Sequence, residues 1–498
     1  MSIRLRYSFL LFLTIPSVAF SQRAWRTVNP MNTPRFCSAL APLPNGTILS
    51  IGGQDINLNS FSSCEIFDPA TGKWTFTAPL AVPRGVAKFV SLSDGRVAVI
   101  GGQTSASVAQ TDLVEIYDPT LHTWKASGHL LRARQNETLN YVDDSTIFVI
   151  GGLTSTGVTS ECEIYNAVAQ TSRKIASMHQ NRHGHMSIVL SSGEILVVGG
   201  RDGGSSSHYL NECELYDPAL DTWTVISPMA QSRIEGVLTQ FPDGSILAAG
   251  GRNTPETSAP GSEILDLGSM SWSNIDPLLQ PVTASGNVVL PNSRYLITAG
   301  AVGGDYSIYS NNVTTPTCEW YDRSQQKWYY APSLNLSRDK FPATYLHQTV
   351  TDLLPTDLVM VAGGLVGIID SSHGNTFSPY ITNSAEVLDV TTPSMLYYMQ
   401  HQPITASVGN SSAPAGTDVK ITYDANLDAS LDLSVDQAGL VTIVITDVRG
   451  VAVSRYESYL IAGKYSILTN RLSLRNGFYF VHVSAGGTDQ MEKFAVEK

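Results

Sequence analysis

A chain of 498 residues, 43% of them apolar, is long enough for two or more domains and apolar enough to bury their cores. Its formal net charge of −12, with no run of Lys or Arg, excludes nucleic acid as a partner, because phosphate binding draws its affinity from clustered cations.

In chain order, Arg4 and Arg6 precede an apolar stretch at 7–18, and Ala19-Phe20-Ser21 offers small residues where a signal peptidase reads. A signal peptide over 1–21, cleaved before Gln22, is therefore predicted. The apolar run is too short to span a bilayer comfortably, and no other uninterrupted stretch of spanning length follows. The mature chain is expected to have no transmembrane segment and to be secreted or held at the outer cell surface.

From Arg35 to Met395 one unit of about fifty residues occurs seven times, and that period marks a stacked or radial repeat architecture. Each copy has an apolar run ending in Gly-Gly, a variable loop, Glu-x-aromatic-Asp, and usually a Trp six residues later. The doublets are Gly52-Gly53, Gly101-Gly102, Gly151-Gly152, Gly199-Gly200, Gly250-Gly251 and Gly363-Gly364, with a degenerate sixth copy at Gly300-Ala301. The signature acids are Glu65, Glu115, Glu163, Glu214, Glu263, Glu319 and Glu386. Trp74, Trp124, Trp223, Trp272 and Trp328 fill the aromatic slot, which Ser172 and Met395 take in the third and seventh copies. An Arg opens every unit but the sixth: Arg35, Arg84, Arg134, Arg182, Arg233 and Arg338.

Each unit reads as four short strands. In the second copy these are 87–92, 97–100, 114–117 and 124–126, the first two joined by the turn Ser93-Asp94-Gly95. Repeated four-stranded units with these Gly-Gly and Trp positions resemble the kelch family, whose units are blades of a β-propeller. The resemblance covers roughly three quarters of the chain and implies an all-β, seven-bladed kelch-type β-propeller over 22–400. The segment around Trp25 matches the fourth strand of a blade, and the seventh unit lacks its Trp, so the N-terminal strand is expected to close the ring. Cys64, Cys162, Cys213 and Cys318 share one repeat slot, which Val114, Ser262 and Ala385 fill elsewhere, so they read as small packed thiols. Cys37 with Cys64 is the one disulfide pairing left to test.

After Met399 the repeat stops. A Ser-, Ala-, Pro- and Gly-rich stretch places a linker at 401–416, and alternating apolar residues place a small Ig-like β-sandwich at 417–498. The tail resembles the C-terminal sorting domain of the type IX (Por) secretion system of Bacteroidetes. The matching residues are Asp447-Val448-Arg449-Gly450, Gly463-Lys464-Tyr465, Leu474-Arg475-Asn476-Gly477-Phe478-Tyr479-Phe480-Val481 and Lys493-Phe494-Ala495-Val496-Glu497-Lys498. Asn410-Ser411 stands where the family has Asn-Pro. The resemblance implies passage of the outer membrane by the type IX machinery.

The six arginines fall at one mouth of the ring, where guanidiniums would suit carboxylates or acidic sugars, or would each pair with the signature Glu of a blade. The loops after Gly-Gly at 301–317 and 365–384 are the longest and carry Tyr306, Tyr309, His373, Phe377 and Tyr380. The expected ligand-binding set is Arg35, Arg84, Arg134, Arg182, Arg233, Arg338, Tyr306, Tyr309, Phe377 and Tyr380. His183 and His185 alternate on an inner strand without an evident third ligand, so no metal or cofactor is assigned. The resulting expectation is a binding protein for a protein or glycan ligand, with no catalytic residues named. A carbohydrate-active enzyme, resembling sialic-acid mutarotases or galactose oxidase, is the alternative, and for the latter Tyr345-Leu346-His347 is only a loose echo.

Overall fold

The computed structural model describes residues 25–390 apart from 106–108, 204–207, 255–256, 284–285, 291–293, 303–312, 348–356 and 371–375; beyond 390 it describes the backbone of strands between Ile404 and Val496. All regular structure among these residues is β, and none of it is a helix long and apolar enough to cross a membrane.

Seven four-stranded antiparallel sheets form the blades of a β-propeller. Blade 1 runs Ala39–Pro42, Ile48–Ile51, Cys64–Asp68 and Lys73–Thr77 from the axis outward. The inner strands of blades 2 to 6 are Lys88–Ser91, Thr138–Asp143, Met186–Val189, Val237–Gln240 and Gly286–Leu290. Blade 7 takes Ala343–His347, Asp357–Ala362 and Ala385–Asp389, and its outermost strand is Arg26–Val28, paired in the register Arg26 to Val387, Thr27 to Glu386 and Val28 to Ala385.

Burial follows from radial position. Second strands such as Ile48–Ile51, Val97–Ile100 and Ile195–Val198 are buried throughout, because a neighbouring blade covers each face, and they are continuous apolar runs. Outer strands such as Lys73–Thr77 and Thr222–Ile226 keep one residue buried, the repeat Trp. That indole packs on the preceding blade and donates its N–H there: Trp74 to Asn29 O at 2.9 Å, Trp223 to Ala176 O at 2.9 Å. Trp25 does the same for blade 7, donating to Pro332 O at 2.7 Å from a 3%-exposed position among Trp320, Leu334 and Leu388. The signature Asp closes the turn that follows it, as Asp68 and Asp118 accept the backbone N–H two residues on at 2.8 Å.

The glycine doublets latch neighbouring blades. A side chain at Gly52, which has φ 55°, would place its Cβ 2.2 Å from Arg84 O of the next blade, and Gly53 donates its N–H to that same carbonyl at 3.0 Å. The latch recurs from Gly102 to Arg134, Gly152 to Arg182, Gly200 to Arg233, Gly251 to Val282 and, closing the ring, Gly364 to Arg35.

All five cysteines are free thiols, so Cys37 and Cys64 are not bridged. Cys64, Cys162, Cys213 and Cys318 are fully enclosed, and burial pushes their thiol pKa values up to about 11 or 12. Past 390, Ile404–Thr405, Gly463–Leu468, Ala429–Val435 and Asp418–Tyr423 pair in that order in one sheet; Ala452–Leu460, Gly439–Asp447, Gly477–Ala485 and Thr488–Val496 pair in another. Thr405 and Ile404 thus belong to a sheet, although their surroundings read as linker from the sequence.

Candidate functional site

The inner strand of each blade begins, and the second strand ends, on one face of the propeller, so the repeat arginines, the glycine doublets and the hairpin loops all meet there. The arginines do not ring this face as an exposed set. Each is 0–1% exposed and turned into its own blade. Arg35 Nη2 donates to Glu65 Oε1 at 2.8 Å, while Nη1 donates to Gly52 O at 2.6 Å and Ser63 O at 2.8 Å. The equivalent pairs Arg84–Glu115, Arg134–Glu163, Arg182–Glu214, Arg233–Glu263 and Arg338–Glu386 close at 2.5–2.7 Å. Each Glu also accepts backbone N–H groups of the loop leading into its blade, as Glu65 does from Asn32 at 2.7 Å and Thr33 at 3.1 Å. The sequence left open whether these guanidiniums meet a ligand or the signature Glu. In this structure their hydrogen bonds go to the blade, to the Glu and neighbouring carbonyls and, for Arg35 and Arg338, also to the hydroxyls of Ser63 and Ser384.

Blade 6 breaks the scheme. Val282 takes the arginine position, as its backbone carbonyl accepting from Gly251 shows. The doublet position is corrected too: Thr283 bridges Ala301 just as Phe36 bridges Gln54, so Ala299-Gly300, not Gly300-Ala301, fills the slot. A register shift between Thr298 and Gly300 displaces the frame, and Ala299 carries φ 41° where other blades use Gly. Among the described residues the latch to blade 7 has no counterpart at this junction. Among the described residues Glu319 has no paired cation and accepts only from Leu279 N at 2.8 Å and Gln280 N at 2.6 Å, and burial pushes its carboxyl up to about 8.

The longest loops rise from this seam. Strands Arg294–Val302 and Val313–Asp322 extend the blade 6 sheet past the doublet, and Leu365–Asp370 with Thr376–Ile381 forms a separate hairpin on blade 7, lying against Val313–Asp322. Tyr380 stands in that hairpin opposite Val366 and is 41% exposed. Phe377 pairs with Ile369 in the same hairpin through its backbone. Tyr306, Tyr309 and His373 lie outside the described residues.

Around the axis, backbone hydrogen bonds join blade to blade: Val86 to Cys37 O, Cys37 to Lys340 O, Gly184 to Asn136 O and Glu235 to Gly184 O, at 2.8–3.0 Å. Inside this belt Glu137 and Asp339 are fully buried, with neither carboxylate oxygen hydrogen bonded by a partner side chain, and burial raises them to about 7 and about 6. His185 is enclosed and its Nε2 lies 3.0 Å from Thr138 Oγ1, whereas His183 precedes the strand and pairs across a bridge with Arg201. Gly184, at φ 60°, separates them, so they do not form the i, i+2 pair of a regular strand. No group of three or more His, Cys, Asp or Glu side chains among the described residues is arranged to hold a metal. Tyr345 and His347 both meet Asp357 Oδ1, at 2.5 and 2.7 Å, and among the described residues no second His or Cys joins them in a metal-holding group.

The sequence reading passed over Arg201 and Arg252. They directly follow the doublets of blades 4 and 5, where blades 1 and 2 carry Gln54 and Gln103, and both guanidiniums lie over the Tyr209 ring, at 5.5 and 5.9 Å from its centroid. Attention to what varies at that fixed slot, rather than to what repeats, would have found them.

Fold and repeat together define a seven-bladed β-propeller built from kelch motifs. The kelch motif model matches residues 35–81 and 182–230. The chain is similar to an F-box/kelch-repeat protein of Arabidopsis thaliana, 30% identical over 92 residues, 18% of this chain and 24% of that protein. It is also similar to kelch-like protein 26 of Danio rerio, 28% identical over 146 residues (29% and 22% of the two chains), and to beta-scruin of Limulus polyphemus, 25% over 233 residues (46% and 24%). The matches span about a quarter of the length of these relatives. Among solved structures, a fungal alcohol oxidase of the AA5 family in complex with copper shares the fold, with a TM-score of 0.58 and 14% identity over 95% of this chain and all of that one.

Proposed function

We propose that this is an exported kelch propeller that binds a protein or glycan ligand through the face bearing the doublets and the hairpins of blades 6 and 7. The observation that carries the reading is the seam: the blade without its arginine, whose latch to blade 7 has no counterpart among the described residues, carries one of the two longest loops and stands beside the other, with Tyr380 exposed. Departure from a repeat where the fold gains nothing is where a scaffold acquires recognition. Kelch propellers commonly bind proteins, and the relatives carry the same motif. Capture on a glycan array and from an extracellular protein library, by the full chain and by a variant with 366–380 replaced by a short turn, tests this. Equal capture by both chains refutes it.

The C-terminal segment 417–498 is proposed as a type IX sorting sandwich of a Bacteroidetes protein, supported by the motif from Leu474 to Val481 and the terminal Lys493 to Lys498 run. Deleting 417–498 is then expected to retain the protein in the periplasm. Continued export removes this reading. A copper oxidase is the second reading, favoured only by the fold shared with the alcohol oxidase. Copper analysis and peroxide production on sugars and small aldehydes test it.

A further inference from the structure

We propose that the junction between blades 2 and 3 holds a cleft for a tryptophan side chain presented by a partner protein, on the side away from the doublets and so apart from the surface proposed above. At the other six junctions the repeat Trp of one blade covers the third strand of the preceding blade, at the residue after the signature Glu. Trp124 shares an apolar cluster with Ile66, Trp223 with Ile164, Trp272 with Leu215, Trp328 with Ile264, Trp25 with Trp320 and Trp74 with Val387. The cluster of Ile116 in blade 2 contains no Trp, because blade 3 carries Ser172 in the aromatic slot.

The substitution changes its surroundings. The rings of Phe67 and Trp74, Tyr117 and Trp124, Tyr216 and Trp223, and Tyr321 and Trp328 meet with centroids 4.9–5.1 Å apart, whereas Tyr165 has Ser172 as its cross-strand neighbour. Tyr165 donates its hydroxyl to Ser127 Oγ at 2.8 Å and Ser172 donates to His129 O at 2.9 Å, so these hydroxyls are bonded within the junction. Beside them lies a cleft of about 130 Å³ lined by Ile116, Lys125 and Ser127 of blade 2, by Arg96 and Leu121 of the same blade, and by Gln170 from the blade 3 turn that leads to Ser172. A cavity of about 150 Å³ accepts benzene, so the cleft has room for one aromatic ring.

The fold itself points to the occupant, since the equivalent place at every other junction takes an indole. All seven tryptophans of the chain stand in blades, so neither another of its segments nor a second folded copy supplies that indole. Lys125 and Arg96 bring cations to the cleft, which favours an aromatic face over an aliphatic side chain. Leu121 and Val168, 68% and 71% exposed in the turns of the two blades, continue the apolar surface outside it. An aromatic anchor in a pocket with further contacts around it is the pattern of a protein–protein hot spot, whereas a free ring would leave those two side chains unused.

Titration of the full chain with capped Leu-Trp-Leu and Leu-Ala-Leu tripeptides and with free indole tests the site, read by calorimetry and by the NMR signal of the Ile116 δ-methyl group, which a neighbouring indole shifts; Ile116→Val assigns that signal. The Trp tripeptide is expected to bind at least about tenfold more tightly than either comparison. Ser172→Trp is expected to abolish binding and to raise the melting temperature, since it fills the cleft with the residue that the other blades carry. Leu121→Asp, at an exposed position, is expected to weaken binding with the melting temperature unchanged, and it decides the matter if Ser172→Trp disturbs folding. Equal binding of the two tripeptides, an unmoved Ile116 signal, or binding that neither variant affects overturns the cleft. Indole binding as tightly as the Trp tripeptide overturns the protein partner and assigns the cleft to a small aromatic molecule.

Discussion

Replacing Arg233 by Met should give blade 5 the chemistry that blade 6 has by sequence. Arg233 is fully buried and donates to Glu263 at 2.7 Å, Gly250 O at 3.0 Å and Gly261 O at 3.1 Å. The two carbonyls left without donors cost about 1–3 kcal/mol at any pH. Glu263 would keep only the N–H groups of Ala230 and Gln231, the environment in which burial lifts Glu319 from 4.5 to about 8. A carboxyl raised in this way holds its proton in the folded state after the unfolded chain has lost it. The variant's stability relative to wild type therefore falls as pH climbs from about 4.5 to about 8, at about 1.4 kcal/mol for each pH unit. The total deficit should stay near about 1–3 kcal/mol at pH 5 and grow by about 4 kcal/mol over the next three pH units, to about 5–7 kcal/mol by pH 9. Urea unfolding of both proteins at the two pH values measures it. An equal deficit at pH 5 and 9 would show that Glu263 does not depend on the guanidinium.

Glu319→Gln should flatten the wild-type decline in urea midpoint between pH 5 and 9, since Glu319 ionises there against a pKa of about 8; parallel curves would contradict its isolation. Part of the decline should survive, because Glu137 and Asp339, at about 7 and about 6, titrate in the same sense. Trp25→Ala should cost about 3–5 kcal/mol in denaturant unfolding, and a loss below about 1 kcal/mol would mean that the ring does not rely on its closing indole. Cys64, Cys162, Cys213 and Cys318 should ignore an aromatic disulfide reagent in the native protein and all react once it is unfolded; fast native reaction would contradict their burial.

The ring was legible because a propeller repeats its spacing along the chain, and each repeated word has a local job: Gly52 for a close approach, Asp68 for a turn, Trp74 for the neighbouring blade. The sixth doublet was misplaced by one residue because a register shift at Thr298 changes which of Ala299 and Ala301 flanks Gly300 without changing the composition of the segment. The fate of the arginines was not legible. The same Arg and Glu suit a ligand or each other, and the choice depends on how the intervening loop folds over the guanidinium. His183 and His185 looked like strand neighbours until Gly184, at positive φ, turned the chain between them. Arg201 and Arg252 escaped because their shared approach to the Tyr209 ring is a property of three-dimensional surroundings.

The closing strand also orders events in time. Trp25 reaches Pro332 across 307 positions, and Asn383 reaches Met31 across 352, so the earliest described strand finds its neighbours only after nearly the whole ring has been made. Contacts of such separation form late, since loop closure must be achieved before they contribute. A chain emerging N-terminus first therefore carries an unpaired edge at Ala385–Asp389 until its own beginning folds back, and that edge would accept a stray strand from another copy.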